Sequence, residues 1–263
     1  MSDRRRAPLG VDPYKPNSAR VYNYMLGGKD NYEADQLLAQ RMLSVAPDTR
    51  ELALMSRRFL IRAVRMVAEA GVCQFVDIGA GIPTAPSVHE AAQQVDASAR
   101  VVYLDYDSVV YLHSTALLSG VAGVTPMLAD VRCPEDVIGR LRADALIDFT
   151  RPVAILLVGV MHFVLDDEHP DEIIARYREE MAPGSYLVLT HASDKSDRNF
   201  IKQTQSAAEG TPVQSVYRSA DEIARYSAGF ESLAPGLAPI QQWLDDGSPA
   251  TRVEILGCVL RKS

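Results

Sequence analysis

The chain has 263 residues, 47% hydrophobic and 23% charged, with a formal net charge of -7. It is long enough to bury a sizeable core and too acidic to coat nucleic acid by displacing counterions. No apolar run of about 18 residues is present, and the basic start leads into no apolar signal core, so a cytoplasmic protein without a membrane span is expected.

In chain order, residues 1–16 carry Arg4-Arg5-Arg6 and Pro8, Pro13 and Pro16, and a disordered tail is expected there. Asn17 or Ser18 caps a short helix through Leu26 that stops at Gly27-Gly28, and a second helix starts near Asn31. A third, over about 48–70, places Leu52, Met55, Phe59, Val64 and Val67 near helical spacing and ends at Gly71. Residues 17–70 therefore read as a helical cap, and 71–263 as the main domain. Beyond Gly71, short apolar runs alternate with helical stretches, the pattern of βαβ units around a buried parallel sheet. Strands are predicted at 74–78, 100–104, 124–129, 153–158 and 185–190, with helices at 87–95, 108–119, 134–143 and 170–181 between them. Residues 230–233 and 253–260 read as two strands joined by a long loop, able to close the sheet with an antiparallel edge. Cys73, Cys133 and Cys258 have neither metal-ligand spacing nor an even count and read as reduced structural thiols.

Chemistry is concentrated at strand ends. Asp77 precedes the turn Gly79-Ala80-Gly81, where glycines let backbone approach a ligand closely. By itself such a turn is weak evidence. Asp105 ends the next strand, 26 positions beyond Gly79, where an acid can accept both hydroxyls of a ribose, with Tyr106 beside it. After the third strand, Asp130 can accept an adenine amine while the Val131 amide meets a ring nitrogen. A dinucleotide would want glycine at Thr84, and Pro83 would disturb the helix start that cradles pyrophosphate. S-adenosylmethionine has no pyrophosphate, and an aspartate-lined pocket suits its sulfonium.

These motifs resemble the actinobacterial S-adenosyl methyltransferase family first catalogued as a domain of unknown function. The resemblance rests on 18–32 (SARVYNYMLGGKDNY), 77–84 (DIGAGIPT), 101–105 (VVYLD), 156–163 (LLVGVMHF), 183–191 (PGSYLVLTH) and Pro235-Gly236-Leu237, which together span most of the chain from Asn17 onward. It implies a class I, Rossmann-like α/β fold with a mostly parallel seven-stranded sheet, an antiparallel C-terminal strand, helices on both faces and an N-terminal helical extension. It also implies S-adenosylmethionine binding, with Val158 and Gly159 lining the methyl-donor pocket. Family members commonly carry Thr or Ser where Ala80 stands, and Asn at Pro86 or Ser87, which changes loop hydrogen bonds rather than the fold.

His162, after the fourth strand, and His191, after the fifth, are candidate bases, each also readable as a loop anchor; His89 reads as structural. The segment 20–32 holds three tyrosines, and rings and cations there suit a lid over the cofactor, with Arg20, Tyr22, Tyr24 and Gly28 nearest. Trp243 reads as packing in a surface hairpin. The expected activity is S-adenosylmethionine-dependent methyl transfer to a small molecule by in-line displacement, without a metal and without a nucleic-acid partner. A non-catalytic S-adenosylmethionine-binding regulator or scaffold is the alternative. A nicotinamide oxidoreductase is disfavoured by Thr84 and by the lack of a Tyr-x-x-x-Lys pair.

Overall fold

A computed structural model of the chain describes residues 11–209 and 213–263. The tail expected over 1–16 lies outside the described residues for 1–10, while Asp12 and Tyr14 sit in a turn closed by the Tyr14 amide on the Asp12 carboxylate. Among the described residues, three helices come first. Asn17 caps α1 (Ser18–Met25), its Oδ1 accepting the amides of Ala19 and Arg20. Gly27 follows with φ of 84°, a conformation that favours glycine, and the chain turns into α2 (Glu33–Val45). The long α3 (Thr49–Glu69) buries the stripe expected of it, Leu52, Met55, Phe59, Val64 and Val67, and ends before Gly71 at φ 93°.

The α/β part then runs β1 (Gln74–Ile78), α4 (Val88–Gln93), β2 (Arg100–Asp105), α5 (Ser108–Leu118), β3 (Val124–Leu128), α6 (Pro134–Ala143), β4 (Ala154–Leu157), α7 (Pro170–Glu180) and β5 (Tyr186–Ala192). Beyond it come α8 (Arg198–Ala208), α9 (Ala220–Ala224), β6 (Glu231–Ser232), β7 (Ala238–Pro239), α10 (Ile240–Leu244) and β8 (Ile255–Arg261). The sheet order is β3-β2-β1-β4-β5-β8-β6, with β1 to β5 parallel and β8 antiparallel to β5.

The sheet has eight strands, not the expected seven. The extra one is β7, whose Ala238 and Pro239 pair with Gly257 and Leu256 of β8 inside what reads in sequence as a loop. That loop also holds α10, which buries Trp243 edge-on to Phe59 at 5.8 Å, its Nε1 donating to the carbonyls of Gly236 and Gly257. Trp243 is thus packing, but beneath α3 rather than in a surface hairpin.

Side chains alternate across β1. Phe75 joins the core formed by α3, α4 and α10, whereas Val76 and Ile78 join the core formed by α6 and α7. Asp77 alternates with them and lies on the α3 side. A third, small cluster of Val21, Met25, Leu38, Ala39, Ala53 and Val213 ties α1 and α2 to α3 and to the segment after α8. Strand order reverses between β1 and β4, and the crevice outside the carboxyl ends there is where open α/β sheets bind ligands.

Candidate cofactor and active site

Two glycines shape the turn after β1, for different reasons. Gly79 has φ of 67°, donates its amide to Leu104 O, and any Cβ there would approach Val160 Cγ2 to 2.5 Å. The backbone of the β1 turn and the loop after β4 therefore meet face to face. Gly81 shares the φ of 67°, but a Cβ added to it meets nothing within 4 Å: the turn opens onto free space.

Asp105 closes the turn from β2. Its Oδ2 accepts the Gly81 amide at 3.0 Å and its Oδ1 the Asp107 amide at 3.0 Å, which leaves each oxygen a further acceptor direction. Burial pushes its carboxyl up to about 6, against the pull of those two amides and of the Tyr106 amide. Asp77 is also buried, which pushes it up to about 7; the Arg57 charge opposes the rise and the Asp105 charge adds to it. Two acids that resist ionisation thus stand at neighbouring strand ends.

Asp130 is engaged. Arg132 grips its carboxylate through Nε at 2.9 Å and Nη2 at 2.6 Å, reaches Glu168 through Nη1, and lays its Cζ 5.7 Å from the Tyr106 ring centroid. Burial alone would raise the Asp130 pKa; the Arg132 hydrogen bonds and charge outweigh it and hold the carboxyl below the usual range. Tyr106 is half exposed and Val131 half buried beside it.

The N-terminal helices dock on this edge. Arg20 is buried, donates from Nε to Asp35 at 2.9 Å and from Nη2 to Lys15 O, and stands 3.6 Å from the Asp107 carboxylate at the start of α5. Asp35 also accepts the amides of Asn17 and Tyr32, so one buried carboxylate fastens α1 to α2. Ser18 hydrogen-bonds Tyr106. Tyr22 donates to Ala53 O on α3 within range of the Arg57 charge, and burial pushes its hydroxyl up to about 12. Tyr24 faces Gln40 and Arg50 on α2 and α3. Gly28 is required by Asn23, whose amide group a Cβ at Gly28 would meet at 2.2 Å; the same Asn23 Oδ1 accepts from the Asp30 amide and Asn31 Nδ2.

After β4, Val158 packs on the core, and Gly159, φ 77°, donates its amide to Thr190 Oγ1 at 2.8 Å with open space where a Cβ would be. The two candidate histidines lie 5.9 Å apart, edge to face. His191 is fully buried. Its Nδ1 lies 2.8 Å from Ala192 O and so carries the proton, and its Nε2 accepts from Arg218 Nη1 at 2.8 Å. Neither nitrogen is left for a substrate. His162 keeps Nδ1 buried without a hydrogen-bond partner. Burial drives both imidazoles neutral, His162 down to about 3 with help from the His191 and Arg218 charges, and His191 to about 4. His89 is structural, its amide and Nδ1 both meeting Tyr103 OH, at 2.9 and 3.0 Å.

Sequence reading misses two residues that organise this edge. Buried Arg218 donates to Met161 O, Val164 O, Asp166 and His191, pinning the loop after β4. Arg57 on α3 donates from Nη2 to Thr84 O and Pro86 O. Among the described residues, no group of His, Cys, Asp or Glu is placed to hold a metal ion, and no helix is long and apolar enough to cross a membrane.

The residues present fit a pyrophosphate-free adenosine ligand: Asp105 stands at the strand end beside Gly81, whose turn opens onto space, with the buried Asp77 behind it. Fold and crevice define a class I, S-adenosylmethionine-dependent methyltransferase. The chain belongs to the S-adenosyl methyltransferase family, whose model matches residues 4–262. It is similar, at 36% identity and a TM-score of 0.90, to a Thermobifida fusca protein assigned by inference as a methyltransferase, covering 98% of this chain and 99% of that one. A DUF574 family protein of Streptomyces avermitilis has 32% identity over 96% of this chain and 99% of that one, with a TM-score of 0.90. The Burkholderia thailandensis 1,6-didemethyltoxoflavin-N1-methyltransferase, solved with 1,6-didemethyltoxoflavin and S-adenosylhomocysteine, shares the fold at 15% identity, a TM-score of 0.50 and 85% and 86% coverage. No curated protein matches the chain.

Proposed function

We propose that this methyltransferase acts on a small molecule enclosed between the sheet edge and the N-terminal helices. The carrying observation is the docking of α1 on the end of β2: Arg20 against Asp107 and Ser18 on Tyr106 place a wall beside Asp105, which encloses that side of the site. The formal net charge of -7 also disfavours nucleic acid.

In this reading Gly79, Ala80 and Gly81 carry the close backbone approach, Asp105 takes the ribose hydroxyls, and Asp77 receives the ammonium of the methionine end. Tyr106, braced by Arg132, forms the adenine wall; Asp130 serves it by holding Arg132, and the Val131 amide meets the ring. Val158 and Gly159 form the floor under the reacting atoms. The bound cofactor supplies an electrophilic methyl on a sulfonium. The protein's task is alignment and the exclusion of water. Arg20, Tyr22, Tyr24 and Gly28 build the lid, Arg20 by contact with Asp107 of the main domain, Tyr22 by contact with α3, Tyr24 and Gly28 by shaping α1 and its turn. This makes α1 and α2 the cap of the 71–263 domain, with α3 shared between them. His162 is the histidine left able to face an acceptor, as a neutral hydrogen-bonding group, and His191 anchors the loop with Arg218.

The test is transfer of label from methyl-tritiated S-adenosylmethionine in a metabolite extract containing protein and nucleic acid. Label in the low-mass fraction is expected. Label confined to macromolecules would overturn the substrate class.

A further inference from the structure

Arg57 makes no ion pair among the described residues. It projects from α3 beneath the β1 turn, where Nη2 donates to the carbonyls of Thr84 and Pro86 at 2.6 Å each. Its Nε is buried with no hydrogen-bond partner, and among the described residues no carboxylate lies within ion-pair distance of it. A buried donor on a charged group is costly to leave unmet. Its charge is felt by Asp77, Tyr22, Tyr103 and, on the neighbouring α4, Glu90, which places it on the cofactor side of β1. Arg20, the arginine that the lid segment itself offers, is committed through Nε and Nη2 and faces Asp107 with Nη1. We propose that Arg57 is the positioning residue that receives the carboxylate of the cofactor's methionine end through the guanidinium donors that Nη2 leaves free, Nε first, while its Nη2 holds the 84–86 loop. The inference rests on reading the β1 turn and Asp105 as the cofactor site. With the carboxylate on Arg57 and the ammonium on Asp77, the methionine end is held at two points, which orients the sulfonium for in-line attack.

Three ligands separate the contributions by calorimetry: S-adenosylhomocysteine, S-adenosyl-3-thiopropylamine, which lacks only the carboxylate, and methylthioadenosine, which lacks the whole amino-acid end. The wild-type protein should prefer S-adenosylhomocysteine over the thiopropylamine by about 10- to 100-fold, the usual range for a charge-assisted hydrogen bond. Arg57→Gln should shrink that preference to within about 3-fold and leave methylthioadenosine affinity nearly unchanged; Arg57→Lys should keep part of the preference. A merely structural Arg57 would weaken all three ligands in parallel, and that result overturns the proposal, as does a wild-type preference that survives in Arg57→Gln. If Arg57→Gln does not fold, the arginine Nε–H resonance of Arg57 in the wild-type protein decides: it should shift with S-adenosylhomocysteine and not with the thiopropylamine, and a shift with neither refutes the contact. Failure of the underlying site reading looks different. Asp105→Asn would then leave all three affinities intact, whatever Arg57 does.

Discussion

Asp105→Asn separates what the carboxylate does for the fold from what it does for the ligand. The substitution keeps the shape but removes the charge and turns one oxygen into a donor. Each oxygen accepts one amide at 3.0 Å, from Gly81 or from Asp107, so either orientation of the new amide sets a nitrogen against one of them. A ribose hydroxyl loses its charged acceptor as well, and hydrogen bonds to charged groups contribute about 1.5–3 kcal/mol. The expected loss of S-adenosylhomocysteine affinity is therefore about 10- to 150-fold. Stability should not follow. Burial holds the folded carboxyl up at about 6, so the folded state keeps its proton longer than the unfolded chain, and ionisation opposes folding as pH rises from about 4 through 6. At pH 7.5 asparagine removes that opposition while giving up about one amide bond of about 1 kcal/mol. The melting temperature should hold or rise while binding weakens. Calorimetry at pH 7.5 with parallel thermal scans tests both, and an affinity within about 3-fold of wild type would refute the ribose role.

Asp77 carries the same sign further: its folded pKa of about 7 makes the unliganded protein lose stability as pH rises from about 4 to 7, by an amount on the order of a few kcal/mol. Thermal scans across that range should show a flatter profile for Asp77→Asn, and an identical profile would assign the slope elsewhere. Arg218→Met strips donors from His191, Met161 O and Val164 O, and should cost about 1–3 kcal/mol or more in urea unfolding, the cost of leaving a buried acceptor unmet; a cost below about 1 kcal/mol would mean the loop after β4 does not depend on it. Hydrogen exchange tests the lid: S-adenosylhomocysteine should slow exchange at Tyr22 to Gly28 as well as at Gly79 to Gly81, and protection confined to the second segment would reduce α1 to a packing helix.

What sequence shows here is position along the sheet edge, and the reason lies in topology. Once alternating apolar runs place 74–78 and 100–105 as adjacent parallel strands, Gly79, Gly81 and Asp105 must share a carboxyl edge, because parallel strands end together. Within that edge the Gly81 amide donates to Asp105 at 3.0 Å. Partner choice is harder to read. Gly28 looks placed for close approach to a ligand, yet the atoms a Cβ would strike belong to Asn23. Asp130 looks open to adenine, yet its carboxylate is taken by Arg132 two positions on, in a loop whose geometry no periodicity describes. Arg57 is one of several arginines on α3, and helical spacing identifies a face without saying which arginine reaches a loop 27 residues away. Arg218 lies 27 residues from His191 in a stretch with no regular pattern, so the contact that occupies the histidine's Nε2 left no trace in either local segment. Short elements are lost for a related reason: β7 has two residues, and its pairing with β8 comes entirely from the partner strand. A strand-end acid can thus be located by counting, but whether it meets a ligand or a neighbouring arginine depends on contacts that close only when distant segments pack. In this chain that distinction separates Asp105, with acceptors to spare, from Asp130, whose acceptors are filled.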